Sequence, residues 1–135
     1  GEWTGLLPGE IAARWPELWG RYVAGEDVPR PGGERWAEVR ERAVEAVLDH
    51  ARKSSAGDLL VVSTHGGPGL HLVAWAAGIE QPGNVFRGAM GPLANASVST
   101  LRLPGPTLLA YNDTGHLDGV VLHRVPAPYL PAEEE

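Results

Sequence analysis

Cysteine is absent from the sequence, which excludes a disulfide framework, a thiolate-ligated zinc site and a cysteine nucleophile. No apolar run approaches the roughly 18 residues that span a bilayer, and no basic-then-apolar leader opens the chain. These absences predict a cytoplasmic protein with no membrane partner. Basic residues are also scarce: 11 Lys and Arg stand against 17 Asp and Glu, for a net charge of −6. Three of the acids are Glu133, Glu134 and Glu135, which leaves −3 on the rest of the chain. Such a balance argues against nucleic acid as a partner. What the chain has in quantity is glycine and proline, 18 and 12 of its 135 residues. That share promises many turns but stays below the level of low-complexity disorder. The length suits one domain.

Apolar spacing supplies the elements. Leu7, Ile11, Trp15 and Leu18 recur at helical intervals over Pro8 to Gly20, with Pro16 placed to kink or split that helix. Pro29-Arg30-Pro31-Gly32-Gly33 closes a loop. From Glu34 to Lys53, one helical stripe carries Trp36, Val39, Ala43, Val47 and Ala51. Glu38/Arg42 and Asp49/Lys53 are four-apart pairs of the stabilising orientation. Leu59-Leu60-Val61-Val62 is apolar without alternation, the pattern of a strand buried on both faces in a parallel sheet. It leads into Ser63-Thr64-His65-Gly66-Gly67-Pro68-Gly69 and an apolar helix that Gly78 stops. Gln81 to Ala94 reads as irregular. Ser97 to Leu103 alternates, and Thr107 to Tyr111 reads as its antiparallel partner across Pro104-Gly105-Pro106.

His65 is the strongest site candidate on chemistry alone. It falls at the C-terminal end of a strand and just before a helix N-terminus, where open α/β sheets place ligands. The N–H groups of Gly66, Gly67 and Gly69 could face an anion there, assisted by the helix dipole. A packed histidine in a tight turn is the alternative. His71 has no acidic or histidine partner three or four residues away and reads as a helix residue, buried or half-exposed. Asn112-Asp113-Thr114-Gly115-His116 fits a turn held by side-chain-to-backbone hydrogen bonds better than a metal site. Trp3, Trp15, Trp19 and Trp36 fit a core edge better than the wall of a site. His50 and His123 read as surface residues, and Glu34 as a favourable acid at a helix start. No Walker A loop, Gly-x-Ser-x-Gly elbow, His-Glu-x-x-His or zinc-ligand spacing occurs.

Taken together, the motifs resemble those of the histidine phosphatase (phosphoglycerate mutase-like) superfamily. Val61-Val62-Ser63-Thr64-His65-Gly66-Gly67 is similar to that family's second-histidine motif. Gly1-Glu2-Trp3-Thr4-Gly5-Leu6 is similar to its Gly-x-Trp-Glu-Gly-Leu, with Thr4 in place of Glu. Pro31-Gly32-Gly33-Glu34 with the later Arg42 is similar to its Pro-x-Gly-Glu-Ser segment and downstream Arg, with Arg35 in place of Ser. Asn95-Ala96-Ser97 and Asn112-Asp113-Thr114-Gly115-His116-Leu117 are similar to its last two motifs. Five pieces in order cover nearly the whole chain.

The resemblance implies an α/β fold, a three-layer phosphoglycerate mutase-like sheet flanked by helices and here lacking the N-terminal strand region. Residues 1–124 are then a partial histidine phosphatase domain, and 125–135 a Pro-rich acidic tail expected to be disordered. It implies phosphomonoester hydrolysis through a phosphohistidine, with His65 as the second pocket histidine and Gly66 and Gly67 binding phosphate. The implied partner is a small phosphorylated metabolite, and neither metal nor cofactor is required. The family's nucleophilic histidine stands in Arg-His-Gly, which this sequence does not contain. The family's usual acid precedes the Gly-x-Trp motif, hence Gly1. The chain therefore reads as the C-terminal two-thirds of such an enzyme and is expected to be inactive alone. The alternatives are a non-catalytic phosphate-binding or interaction module, or a phosphoglycerate mutase. An open edge beside Leu59–Val62 would call for a partner strand or for self-association.

Overall fold

A computed structural model describes residues 1–80 and 89–120. Among the described residues four α-helices, one antiparallel hairpin and a short 3-10 helix (Gly115–Leu117) make up the regular structure: α1 (Pro8–Arg14), α2 (Pro16–Val23), α3 (Trp36–Lys53), α4 (Gly66–Ala76), β1 (Val98–Arg102) and β2 (Thr107–Asp113). The α/β class is as the sequence implies. The 125–135 tail and His123 lie outside the described residues.

Pro16 splits the first helical stretch in two. Its missing N–H and fixed φ suit the first position of α2, so the chain breaks at Trp15, which caps both helices. Ile11 is buried and Leu18 half-buried, while Leu7 stays 70% exposed ahead of α1. There the Leu7 N–H donates to the Glu10 carboxylate at 2.7 Å. Trp3, Ile11, Tyr22 and Val28 form a small core, flanked by Leu6, Trp15, Leu18, Trp19 and Val23. Trp3 is its centre, meeting Tyr22 edge-on at 5.3 Å and Trp19 at 5.8 Å between ring centroids. Contacts of this geometry contribute about 0.5–1.5 kcal/mol each beyond area burial. Trp3, Trp15 and Trp19 are thus core, as expected.

The α3 stripe is also as read: Val39 and Val47 are buried, and Trp36, Ala43 and Ala51 half-buried, against α4. Asp49 and Lys53 pair at 2.6 Å. Glu38 does not pair with Arg42. It accepts the Arg35 N–H at 2.7 Å at the start of α3, and Arg42 instead takes Glu34 in a two-pronged pair at 2.9 Å. Helix α4 is buried nearly all round, with Leu70, His71, Leu72, Val73, Ala74 and Ala76 closed off from solvent. Gly78 ends it at φ +69°, where the N–H of Ile79 bonds Ala74 O and that of Gly78 bonds Trp75 O. This double closure leaves fewer orphaned helix carbonyls.

β1 and β2 pair from Val98↔Asp113 to Arg102↔Thr107, with two register irregularities, and the hairpin packs on α4. One expectation is corrected. Leu59–Val62 belongs to no sheet among the described residues, and its side chains are 87%, 39%, 81% and 49% exposed rather than buried. An extended segment becomes a strand only when a neighbour takes its N–H and C=O groups, and no described strand pairs with it. Among the described residues no helix is long and apolar enough to cross a membrane.

Candidate functional site

His65 sits at the N-cap of α4, with φ −93° and ψ 162°, and its side chain makes no capping bond. The residue is exposed. Its carbonyl accepts the first helical bond, from the Gly69 N–H at 2.9 Å. Helix α4 begins at Gly66, which puts Pro68 at its third position. Proline is tolerated there, because none of the first three helical positions needs an N–H bond. The outcome matters electrostatically. Gly69 is used internally and Pro68 has no N–H, so the first-turn amides without an acceptor among the described residues are those of Gly66 and Gly67. Both project from the positive end of an 11-residue helix.

The two glycines are there for different reasons. A Cβ on Gly67 would stand 2.7 Å from Cη2 and Cζ3 of Trp36, so that position has no room for a side chain. A Cβ on Gly66 would meet nothing within 4 Å; what its absence provides is close access to the backbone for a ligand.

Below the turn, Trp36 joins the two halves of the described structure. Its ring lies 5.4 Å from that of His71, tilted by 33°. The Arg30 guanidinium stands 4.5 Å from its centroid, 5.2 Å from that of Tyr22 and 6.0 Å from that of Trp3. Trp36 therefore departs from the other three tryptophans: it packs beneath the Gly67 turn. Its backbone is fixed by Asp27, whose two carboxylate oxygens accept the N–H groups of Trp36 and Ala37 at 2.7 and 3.0 Å. Sequence spacing did not reveal Asp27, nine residues before the helix it caps. An acid in a loop ahead of an uncapped helix is the available signal.

His71 is fully buried, as one of the two readings of it held, and neither ring nitrogen has a hydrogen-bond partner among the described residues. Burial pushes its pKa below the ordinary histidine value. The positive charge of Arg40 adds to that and Asp27 opposes it, so the ring is neutral at pH 7. The Gly1–Gly5 motif docks on the Pro31–Gly33 loop, with the Glu2 N–H donating to Pro31 O at 2.7 Å. Those two motifs, far apart in sequence, thus meet beside Arg30. At the other end, Asn112 (φ +55°) accepts the Ala94 N–H at 2.7 Å, and its own N–H donates to Ser99 Oγ at 3.0 Å. Asp113 accepts the Gly115 N–H at 2.8 Å, the side-chain-held turn that was expected. No group of three or more His, Cys, Asp or Glu suited to a metal occurs among the described residues.

A groove of about 960 Å³ runs along the exposed segment, between it, α3, α4 and the hairpin. Leu60, Val62, His65 and Gly66 line one part, and Leu72, Asn95 and Leu101 others. The turn thus opens into a space with apolar walls and a few polar groups.

The model of the histidine phosphatase superfamily, branch 1, matches residues 1–114. The chain belongs to that superfamily. Comparison with curated proteins and with solved structures gave no significant match. The matched span includes the Glu34–Arg42 pair and the exposed Leu59–Val62, which leads directly into the His65 turn.

Proposed function

We propose that this chain provides the second-histidine part of a phosphomonoesterase site, with the nucleophilic histidine supplied by polypeptide outside these 135 residues. The observation that carries the reading is the α4 turn: an exposed imidazole beside two unused glycine amides at the positive end of a buried helix. A phosphoryl group at that turn receives the Gly66 and Gly67 N–H groups on its oxygens, and His65 donates a further hydrogen bond. As a nucleophile attacks phosphorus and the P–O bond to the alcohol breaks, charge spreads over the equatorial oxygens, where these donors stabilise it. The leaving alkoxide takes a proton from an acid, and water then releases phosphate from the phosphohistidine. The lack of Arg-His-Gly and the unpaired Leu59–Val62 run support placing the nucleophile on a neighbouring strand. The same run supports a second reading, a non-catalytic module that binds phosphate and takes a strand from another chain.

Titrating the chain with inorganic phosphate while following backbone amides tests the reading. The Gly66 and Gly67 resonances should move, and His65→Ala should weaken binding by about tenfold, the worth of one charge-assisted hydrogen bond. Amides that do not respond would remove the turn from the site. The chain alone should not turn over p-nitrophenyl phosphate; turnover would refute an external nucleophile. In any longer protein that contains the chain and hydrolyses this ester, His65→Ala should cost about two orders of magnitude or more. A longer protein without such activity supports the non-catalytic module.

A further inference from the structure

Arg30 is half-buried, and among the described residues no carboxylate pairs with it. Among the described residues its guanidinium donates one hydrogen bond, from Nη2 to the Tyr22 hydroxyl at 3.4 Å. A guanidinium has five N–H donors, so most of them are unspent. Four of the nearby acids are committed elsewhere: Glu26 to Arg21, Asp27 to the start of α3, Glu34 to Arg42, and Glu38 to the Arg35 N–H; Glu2, which docks on the same loop, forms no ion pair with Arg30. Arg40 is likewise half-buried and, among the described residues, has neither a carboxylate partner nor an aromatic cage. The rings of Trp3, Tyr22 and Trp36 hold Arg30 in place, and Pro29 and Pro31 restrict its backbone. The Gly33 N–H closes the turn on Arg30 O at 2.8 Å.

Aromatic rings stabilise a cation without neutralising it, and they lower the local dielectric, which strengthens its attraction for an anion. Arg30 is half-buried, and the aromatic rings around it carry no charge to neutralise it. It is also one indole away from the phosphate turn, since Trp36 touches Arg30 through its face and Gly67 through Cη2 and Cζ3. We infer that Arg30 is a specificity-determining residue that binds a second acidic group, carboxylate or phosphate, on the ligand whose phosphoryl group occupies the Gly66–Gly67 turn. The inference rests on the reading of that turn given above.

Two open-chain phosphomonoesters test it: 6-phosphogluconate and glucitol 6-phosphate differ only in a carboxylate replacing a terminal alcohol. Their binding to the full 135-residue chain is measured by calorimetry, and the Arg30 Nε–H resonance is followed. The unmodified chain should bind the carboxylate ligand about tenfold more tightly or better, and the resonance should shift with that ligand alone. Arg30→Met, which keeps an apolar stem against Trp36, should abolish the preference and leave glucitol 6-phosphate affinity within about twofold. Arg30→Lys keeps the charge without the fork and should retain part of the preference. No preference in the unmodified chain, or one that survives in Arg30→Met, overturns the inference. So does an equal loss for both ligands. Inorganic pyrophosphate against phosphate separates a phosphate second group from a carboxylate one. His65→Ala distinguishes failure of the turn: weakening of both ligands supports it, whereas unchanged affinity refutes the turn and leaves the Arg30 comparison readable.

Discussion

His71 is closed off from water, and among the described residues neither ring nitrogen has a hydrogen-bond partner. Leaving a buried polar group unsatisfied costs roughly 1–3 kcal/mol, and charging it would cost more. Its folded-state pKa is depressed from 6.5, chiefly by burial. Below that pH the unfolded chain takes up a proton that the folded chain refuses, so stability falls as pH drops. Urea midpoints should therefore decline steadily from about pH 7 to about pH 5.5, and His71→Leu should flatten that decline. An equal slope in the variant would show that another group sets the pH dependence. Glu34 and Asp49 act in a lower window. Hydrogen bonds from Arg42 and Lys53 hold their carboxyls below ordinary values, so their contribution persists until the pH falls through the carboxylate range. Both are on the surface, where solvent screens such pairs.

Helix α3 begins at Trp36 because a carboxylate from the preceding loop satisfies its first amides. Asp27→Ala should destabilise the chain by about 1–2 kcal/mol, and the effect should concentrate in faster hydrogen exchange across the first turn of α3. Exchange that rises equally along the whole helix would argue against a capping role. This element also shows what a sequence can disclose. The α3 stripe, the β1–β2 hairpin, the split at Pro16 and the stop at Gly78 follow from local periodicity and backbone chemistry. His65 and the turn were legible because their motif is local as well. Arg30, Asp27 and the placement of Trp36 were not, because each depends on loop residues meeting an element several positions away. The apolar run Leu59–Val62 shows the opposite error: its composition describes a strand, but a strand also requires neighbours.

At the scale of the molecule, a Trp3-centred core and the α3–α4 pair meet through Trp36 and Arg30, while Leu59–Val62 stands outside both. The burial pattern gives a direct comparison. Val61→Ser, at an 81% exposed position, should change stability by less than about 0.5 kcal/mol. Leu70→Ala, at 1% exposure, should cost about 2–5 kcal/mol. Comparable losses in calorimetric unfolding would mean that a second copy covers the segment. The contact between Trp36 and Gly67 has a consequence of another kind. Any side chain larger than hydrogen at 67 demands a smaller one at 36, and a smaller residue at 36 unseats the cage around Arg30. The two positions are therefore bound to covary, and Arg30 inherits that constraint although it touches neither the turn nor α4.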